Sequence, residues 1–110
     1  MIIKIKPLSV NDCWRGRRMK TEKYLIYESK LKRLLPPLEL PPPPFSVYYE
    51  FGFSSLASDL DNPIKPLQDI LQKKYKFDDK LIFEFTARKK KVKKGEEYII
   101  LKINSFLPII

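Results

Sequence analysis

The amino-acid sequence predicts an α+β domain built around a mixed β-sheet. Two segments repeat apolar residues at helical spacing, and four shorter segments are alternating or strongly aromatic, as strands are. These elements follow the order strand, helix, strand, helix, strand, strand, which is expected of an α+β fold. The 110 residues suffice for one domain with a modest core, so we expect residues 1–110 to form a single domain.

The first part of the chain carries one predicted strand and one predicted helix. The run from Ile2 to Lys6 alternates apolar and basic residues and indicates a half-exposed strand. Residues 7–20 contain Pro, Ser, Asn and Gly at turn-forming positions and predict a loop. Thr21 suits the N-cap of a helix that extends to about Leu35, because two prolines follow and end it.

The second part of the chain carries the remaining elements. Residues 36–44 are rich in proline and predict a stiff connector inside the domain, with an SH3-type ligand as the alternative. Phe45–Phe53 is aromatic and predicts a strand that is buried on at least one face. Pro63–Tyr75 has an apolar stripe at helical spacing. Residues 81–90 and 97–103 predict two strands, and the lysine-rich segment between them predicts the tip of a β-hairpin.

The excess of basic residues indicates an anionic partner. Lys and Arg number 22 and Asp and Glu number 13, which gives a formal net charge of +9 at pH 7. Nucleic acid is the first candidate partner and an anionic membrane surface is the second. The N-terminal segment is too short and too charged for a signal peptide, and no apolar run reaches membrane-spanning length. We therefore expect a soluble, intracellular protein that does not enter a membrane.

The absence of histidine and the presence of one cysteine exclude several kinds of chemistry. Cys13 has no partner for an intramolecular disulfide, which favours a reducing compartment. A zinc site of Cys and His ligands and a Ser-His-Asp or Cys-His mechanism are likewise excluded. Any catalytic metal must be held by oxygen ligands, which favours Mg²⁺ or Mn²⁺.

Two aspartates lie close together in the segment SDLDNPIKP, residues 58–66. In one interpretation they begin a helix, since Asp, Asn and Pro cap free backbone N–H groups there. One aspartate suffices for a cap, however, and Asp59 lies outside the predicted helix. With an extended backbone, Asp59 and Asp61 would project from the same face and repel each other unless a cation joined them. The alternative interpretation is therefore a divalent metal site.

A second acidic pair and one lysine extend this hypothesis. Asp78 and Asp79 follow the second predicted helix, and they can meet the first pair only if the chain doubles back after that helix. A surface turn is the simpler interpretation of the second pair. Lys65 lies in the first helical turn, either as a solvated lysine or as a cation that stabilises negative charge on a phosphate during cleavage.

Two basic segments are candidate DNA contacts. The first contains Trp14, which either stacks on an unpaired base or closes the core; we favour the core, because a lone tryptophan in a small domain usually packs inside. The second is either a solvated turn or a phosphate-binding site. The candidate DNA-binding residues of these segments are Arg15, Arg17, Arg18, Lys89, Lys90, Lys91, Lys93 and Lys94.

Three blocks of the sequence resemble the RusA-type Holliday-junction resolvases of bacteria and their phages. Residues 7–28, PLSVNDCWRGRRMKTEKYLIYE, resemble the family's N-terminal S-x-N loop with its Gly-Arg-Arg turn and helix start. Residues 58–80, SDLDNPIKPLQDILQKKYKFDDK, are similar to the family's D-x-D-N-x-x-K helix and its later Asp-containing turn. Residues 92–99, VKKGEEYI, look like the tail of phage members. The blocks occur in the family's order along nearly the whole chain.

The resemblance implies a RusA-like fold and a homodimeric endodeoxyribonuclease that depends on Mg²⁺ or Mn²⁺. Such an enzyme nicks four-way DNA junctions symmetrically during recombination and repair, in the cytoplasm of a bacterial or phage-infected cell. The family's metal-binding carboxylates correspond to Asp59, Asp61 and Asp79, and its essential lysine corresponds to Lys65. Asp78 either assists the third carboxylate or only caps the turn.

The sequence departs from some members of the family just before the first aspartate. Those members carry arginines where residues 56–58 are Leu, Ala and Ser, so the DNA contacts at this position differ. Two other functions are therefore considered. One is a DNA-binding recombination accessory protein without catalysis, and the other is a nuclease for flaps or other branched DNA.

Overall fold

The computed structural model describes residues 1–17 and 19–108, which form a mixed four-stranded sheet, two α-helices and a separate two-stranded ribbon. The α+β class and the mixed sheet are confirmed. The helices are α1 (Glu22–Leu34) and α2 (Ile64–Tyr75), each within one residue of its predicted start. The strands are β1 (Ile2–Ile3), β2 (Trp14–Arg15), β3 (Met19–Lys20), β4 (Phe45–Phe53), β5 (Ile82–Lys91) and β6 (Tyr98–Ser105).

The aromatic strand β4 lies inside the sheet, between β6 and β5 in the order β1-β6-β4-β5. Its odd-numbered residues are all buried and belong to the same core cluster as the apolar residues of both helices. The even-numbered residues up to Glu50 lie on the opposite face and are half-buried. The helices therefore cover one face of the sheet and leave the other face open. Neither helix within the described residues is long and apolar enough to cross a membrane.

The predicted β-hairpin between the last two strands is wrong. Strands β5 and β6 both pair with β4, β5 in parallel and β6 antiparallel, so β4 separates them. The lysine-rich connection after Lys91 passes over the end of β4, where the Val92 N–H donates to the Phe53 carbonyl at 2.8 Å. Because β4 is the most apolar strand, it takes the position with a neighbour on each side, and the more polar β5 is left at the edge.

Two parts of the N-terminal region also differ from the predictions. The predicted strand Ile2–Lys6 is shorter than expected, since only Ile2–Ile3 forms a ladder, and the buried Ile3 and Ile5 alternate with exposed lysines. The predicted loop contains a 3₁₀ turn, Val10–Asp12, and the ribbon of β2 and β3. Two-residue strands are too short to show alternation, so sequence patterning does not detect them.

Gly52 on β4 is a point where packing leaves no space for a side chain. A Cβ atom there would lie 2.5 Å from the Tyr98 ring on the neighbouring strand. We expect Gly52→Ala to displace this ring and to lower the free energy of unfolding by about 1–3 kcal/mol. Denaturant unfolding of Gly52→Ala, Tyr98→Ala and the double variant tests this. If the loss is the same with and without the ring, the proposed clash is absent.

Candidate functional site

Lys65 in the first turn of α2 lies between two carboxylates. Its Nζ atom is 3.0 Å from Oδ1 of Asp69, one turn further along the helix, and 3.5 Å from Oδ2 of Asp79. The lysine side chain is 59% exposed and that of Asp79 is 41% exposed, so each can still contact a ligand. The structure thus places the predicted lysine next to the third predicted aspartate, although 14 residues separate them in the chain.

Asp79 reaches Lys65 because the chain reverses after α2. Lys76 ends the helix in the left-handed conformation, with φ of 56°, and the Phe77 N–H then donates to the Gln72 carbonyl. The side-chain oxygen of Gln72 accepts a hydrogen bond from the Asp79 N–H at 2.9 Å. Gln72 and Lys65 are two turns apart on α2, so one helix holds Asp79 through both its backbone and its side chain.

The acidic neighbours of Lys65 stabilise its charged form. The pKa of the Lys65 ammonium is raised, first by its hydrogen bond with Asp69 and, against the opposing effect of partial burial, by Asp79. Solvent screens these interactions because the lysine is largely exposed, so their contribution to folding stability is small. The ammonium group therefore remains a fixed positive charge throughout the neutral and mildly alkaline range.

The segment that carries Asp59 and Asp61 bends and is not extended as we expected. Residues 60–63 form a bend and a turn, closed by a hydrogen bond from the Ile64 N–H to the Asp61 carbonyl at 3.2 Å. The carboxylates of Asp59 and Asp61 are therefore not aligned on one face by an extended backbone. The N-cap of α2 is Pro63, and no side chain caps the helix. The Asp61 carboxylate thus does not serve as the cap that the simpler interpretation required.

Asp59 lines a cavity of about 620 Å³ between α1, the segment that precedes α1 and the loop that connects β4 to α2. The cavity lining also carries three lysines and two further carboxylates, namely Lys6, Lys23, Lys30, Asp12 and Glu97. The three lysines are thus matched by three carboxylates, Asp59 included, and the cavity as a whole carries no excess of positive charge. These lysines were not predicted as site residues, because they come from separate segments of the chain and do not follow one another in the sequence.

The three predicted metal ligands do not form a ready-made cluster. Within residues 1–17 and 19–108, no group of three Asp, Glu or Cys side chains is placed so that it could hold a metal ion. Mg²⁺ does not require such a cage, since it retains water and binds through one or two carboxylates and the phosphate groups of a substrate. The exposed carboxylates of Asp59 and Asp61 fit this second mode of binding, and so does Asp79 beside Lys65.

Asp78 caps a turn. Its side-chain oxygen accepts a hydrogen bond from the Lys80 N–H at 3.0 Å at the start of the 3₁₀ turn Asp79–Leu81. Of the two roles that were open for Asp78, the structure therefore shows the capping role. Its contribution is to fix the turn that presents Asp79.

The predicted DNA-binding lysines fall into two groups. Lys89 donates to the Ser58 carbonyl at 2.9 Å, and Lys91 donates to the Ser54 carbonyl at 2.6 Å, so both hold the loop that leads to Asp59. Their first role is structural. The second group consists of exposed lysines for which no such contact is found among the described residues, namely Lys90, Lys93 and Lys94.

The arginine-containing segment forms the ribbon of β2 and β3. Arg15 and Arg17 are exposed, which is compatible with phosphate contacts, and Arg18 lies outside the described residues. The expectation that Trp14 closes the core is wrong, because its side chain is 45% exposed. Tyr24 and Tyr27 of α1 are buried in the core, and the Lys20 ammonium lies over both the Trp14 ring, at 3.8 Å, and the Tyr24 ring, at 4.1 Å.

Asp69 and Gln72 are site residues that the sequence argument did not single out. Asp69 holds the Lys65 ammonium, and Gln72 holds the backbone of Asp79. A signal for Asp69 is present in the sequence, since Lys65 and Asp69 are four residues apart on a predicted helix. No comparable signal identifies Gln72, because its contact depends on how the chain reverses after the helix.

The described site consists of exposed aspartates, one fixed ammonium group and clustered lysines. Comparison with known proteins finds no family model that matches this chain and no curated protein with significant similarity to it.

Proposed function

We propose that this protein is a metal-dependent endodeoxyribonuclease that resolves four-way DNA junctions by symmetric nicking. The observation that carries the proposal is the contact between Lys65 and Asp79, which joins a residue four positions after Asp61 to one that lies 14 residues further along the chain. The net charge of +9 supports a polyanionic substrate. The resemblance to the RusA-type resolvases supplies the class of DNA.

Asp59, Asp61 and Asp79 are the residues that would hold Mg²⁺ or Mn²⁺ together with a DNA phosphate. The ion supplies Lewis-acid activation of the phosphate and of an attacking water. With no histidine in the chain, the proton released by the water passes to a carboxylate or to solvent. The exposed side chains of Asp59 and Asp61 can change conformation when a phosphate binds, because neither carboxylate caps α2.

Lys65 neutralises negative charge that develops on the phosphate during cleavage. A fixed cation stabilises such a transition state more than the ground state, and the contacts with Asp69 and Asp79 limit the motion of the ammonium group. The Gln72 bond to the Asp79 N–H and the Asp78 cap hold the turn opposite Lys65. The role of α2 is therefore to keep one carboxylate and one cation at a fixed separation.

We further propose that the protein acts as a homodimer, since paired nicks at a symmetric junction require two equivalent sites. The edge strand β5 supports this proposal. It exposes Phe83 and Phe85 at 63% and 49%, and exposed apolar residues on an edge strand favour association. Sedimentation equilibrium of the full chain tests it: a dimer is expected, and a monomer at micromolar concentration contradicts it.

A second candidate function is a DNA-binding recombination accessory protein without catalysis. The lack of a group of three metal-ligating side chains within the described residues favours this candidate. An accessory protein would bind DNA through the same basic surface as the nuclease and would differ from it only in not cutting the DNA. A nuclease for flaps is a variant of the first proposal with a different substrate.

A single assay distinguishes the three functions. The full chain is incubated with an end-labelled four-way junction, a flap and a linear duplex, each with Mg²⁺ and with EDTA. Paired nicks at symmetric positions in the junction, only with Mg²⁺, are the expected result. Cuts in the flap alone favour the flap nuclease. Binding to the junction without cuts under any metal condition favours the accessory protein and contradicts the proposed activity.

The lysines at the end of β5 and beyond it yield a prediction for salt dependence. If Lys90, Lys93 and Lys94 contact phosphates, replacing all three by Gln lowers the slope of log Kd against log salt by about 2–3. DNA binding is measured by fluorescence anisotropy between 50 and 200 mM salt (~4-fold in concentration) in EDTA. The triple variant with Lys4, Arg33 and Lys102 replaced by Gln removes the same charge elsewhere on the surface. If the two triple variants show the same salt slope, Lys90, Lys93 and Lys94 contribute no more than other surface charges and are only solvated.

A further inference from the structure

The ribbon of β2 and β3 presents the single tryptophan of the chain to solvent. Trp14 is 45% exposed, and its cross-strand partner Lys20 places the Nζ atom 3.8 Å from the centre of the ring. The ammonium group thus occupies one face of the indole, and the exposed surface is available to a second planar group. A tryptophan carries a large apolar ring, and at this position a substantial part of it is left in contact with solvent.

The exposed position of Trp14 is imposed by the residues on either side of the ribbon. Cys13 is buried in the core, and its carbonyl accepts a hydrogen bond from the Thr21 N–H at 3.0 Å. The Thr21 side chain donates to the Asp12 carbonyl and also caps α1. Both strands of the ribbon are therefore anchored to the domain at their common base.

The 3₁₀ turn that precedes the ribbon makes a direct backbone contact with the acidic segment. The Val10 N–H donates to the Asn62 carbonyl at 2.9 Å, and Asn62 directly follows Asp61. Val10 begins the 3₁₀ turn that leads into Cys13 and the ribbon. The base of the ribbon is therefore linked through this turn to the segment that carries Asp61.

We propose that Trp14 stacks on an unpaired base of branched DNA. A tryptophan ring is a stacking surface for any base, whereas bases inside an intact duplex already stack on their neighbours. The exposed Arg15 and Arg17 on the same ribbon supply positive charge for the adjacent backbone. This inference rests on the proposed function, because the ligand is DNA. It adds that stacking on Trp14 is how the protein distinguishes a branch or a bulge from an uninterrupted duplex.

Fluorescence of the wild-type protein tests the proposal directly, since Trp14 is its only source of indole emission. The protein is titrated in EDTA with a duplex that contains a two-base bulge and with the matched uninterrupted duplex, while anisotropy of a labelled DNA reports binding. We expect strong quenching of Trp14 when the bulged duplex saturates the protein and little quenching with the intact duplex. Equal quenching by both duplexes, or binding of the bulged duplex without quenching, overturns the proposal.

Two substitutions give a second measure. We expect Trp14→Leu to weaken binding of the bulged duplex about 10-fold and to leave binding of the intact duplex unchanged, with Trp14→Phe intermediate because a smaller ring still stacks. Unchanged affinity of Trp14→Leu for the bulged duplex, or equal losses for both duplexes, contradicts the proposal. Both measurements are made without metal. If stacking is observed and no DNA is cut in Mg²⁺, only the nuclease proposal fails.

Discussion

Asp61→Asn is expected to abolish junction cutting and to leave junction binding largely intact. The substitution keeps the size of the side chain and removes the negative charge that a divalent cation requires, so the cleavage rate falls by about 10³-fold or more. Folding is spared, because the Asp61 carboxylate is exposed and does not cap α2; only its backbone carbonyl closes the turn before the helix. Single-turnover cleavage in Mg²⁺ and anisotropy in EDTA measure the two properties separately.

Asp78→Asn is the matched control for this variant. It removes one negative charge from the neighbouring acidic pair, and asparagine retains the side-chain oxygen that caps the turn. We expect its cleavage rate to stay within about 3-fold of the wild type, given an N-cap change of only a few tenths of a kcal/mol. A near-normal rate for Asp61→Asn, or equal losses for both variants, would show that the site is wrongly placed.

Lys65→Met is expected to lower the cleavage rate by about 10²–10³-fold with little change in junction affinity. Methionine preserves the aliphatic part of the side chain and the helix, but it removes the cation that faces Asp79. The measurement is again single-turnover cleavage at saturating protein. Lys73→Met is the matched control, since Lys73 lies on the same helix and pairs with Glu28 of α1, away from the site.

Because Asp69 contacts Lys65, its substitution is also expected to lower the cleavage rate. Asp69→Asn removes the first cause of the raised Lys65 pKa and leaves the ammonium group less firmly held, so we expect a loss of about 10-fold. If Asp69 acts only through Lys65, the double variant is no slower than Lys65→Met alone. Additive losses would mean that Asp69 contributes independently of Lys65.

The elements that could be predicted from sequence are those with a strong local pattern. The aromatic strand Phe45–Phe53 has the predicted bounds, and α2 begins one residue later than predicted, at Ile64. The order of the strands was not predictable in the same way. Whether 82–91 pairs with 98–105 or with β4 depends on competition between whole strands for the central position.

The site was predicted in part, for a related reason. Residue spacing placed Lys65 on the first turn of α2, but its contact with Asp79 depends on the left-handed turn at Lys76 and on the bond to Gln72. Neither follows from local pattern, since lysine is not a typical left-handed residue. The exposure of Trp14 was missed because it depends on how its flanking residues are anchored.

The most direct test of the central claim is the location of the metal ion in the complex with DNA. Isotope-labelled protein is bound to a four-way junction whose branch-point linkages resist cleavage, and Mn²⁺ is added while backbone amide signals are recorded by NMR. Mn²⁺ is paramagnetic and broadens the signals of nearby amides. We expect those of Asp59, Asp61, Lys65 and Asp79 to broaden together at the lowest Mn²⁺ concentrations. Broadening around Asp59 and Asp61 that leaves Asp79 and Lys65 unaffected, or broadening elsewhere on the protein, would contradict this expectation.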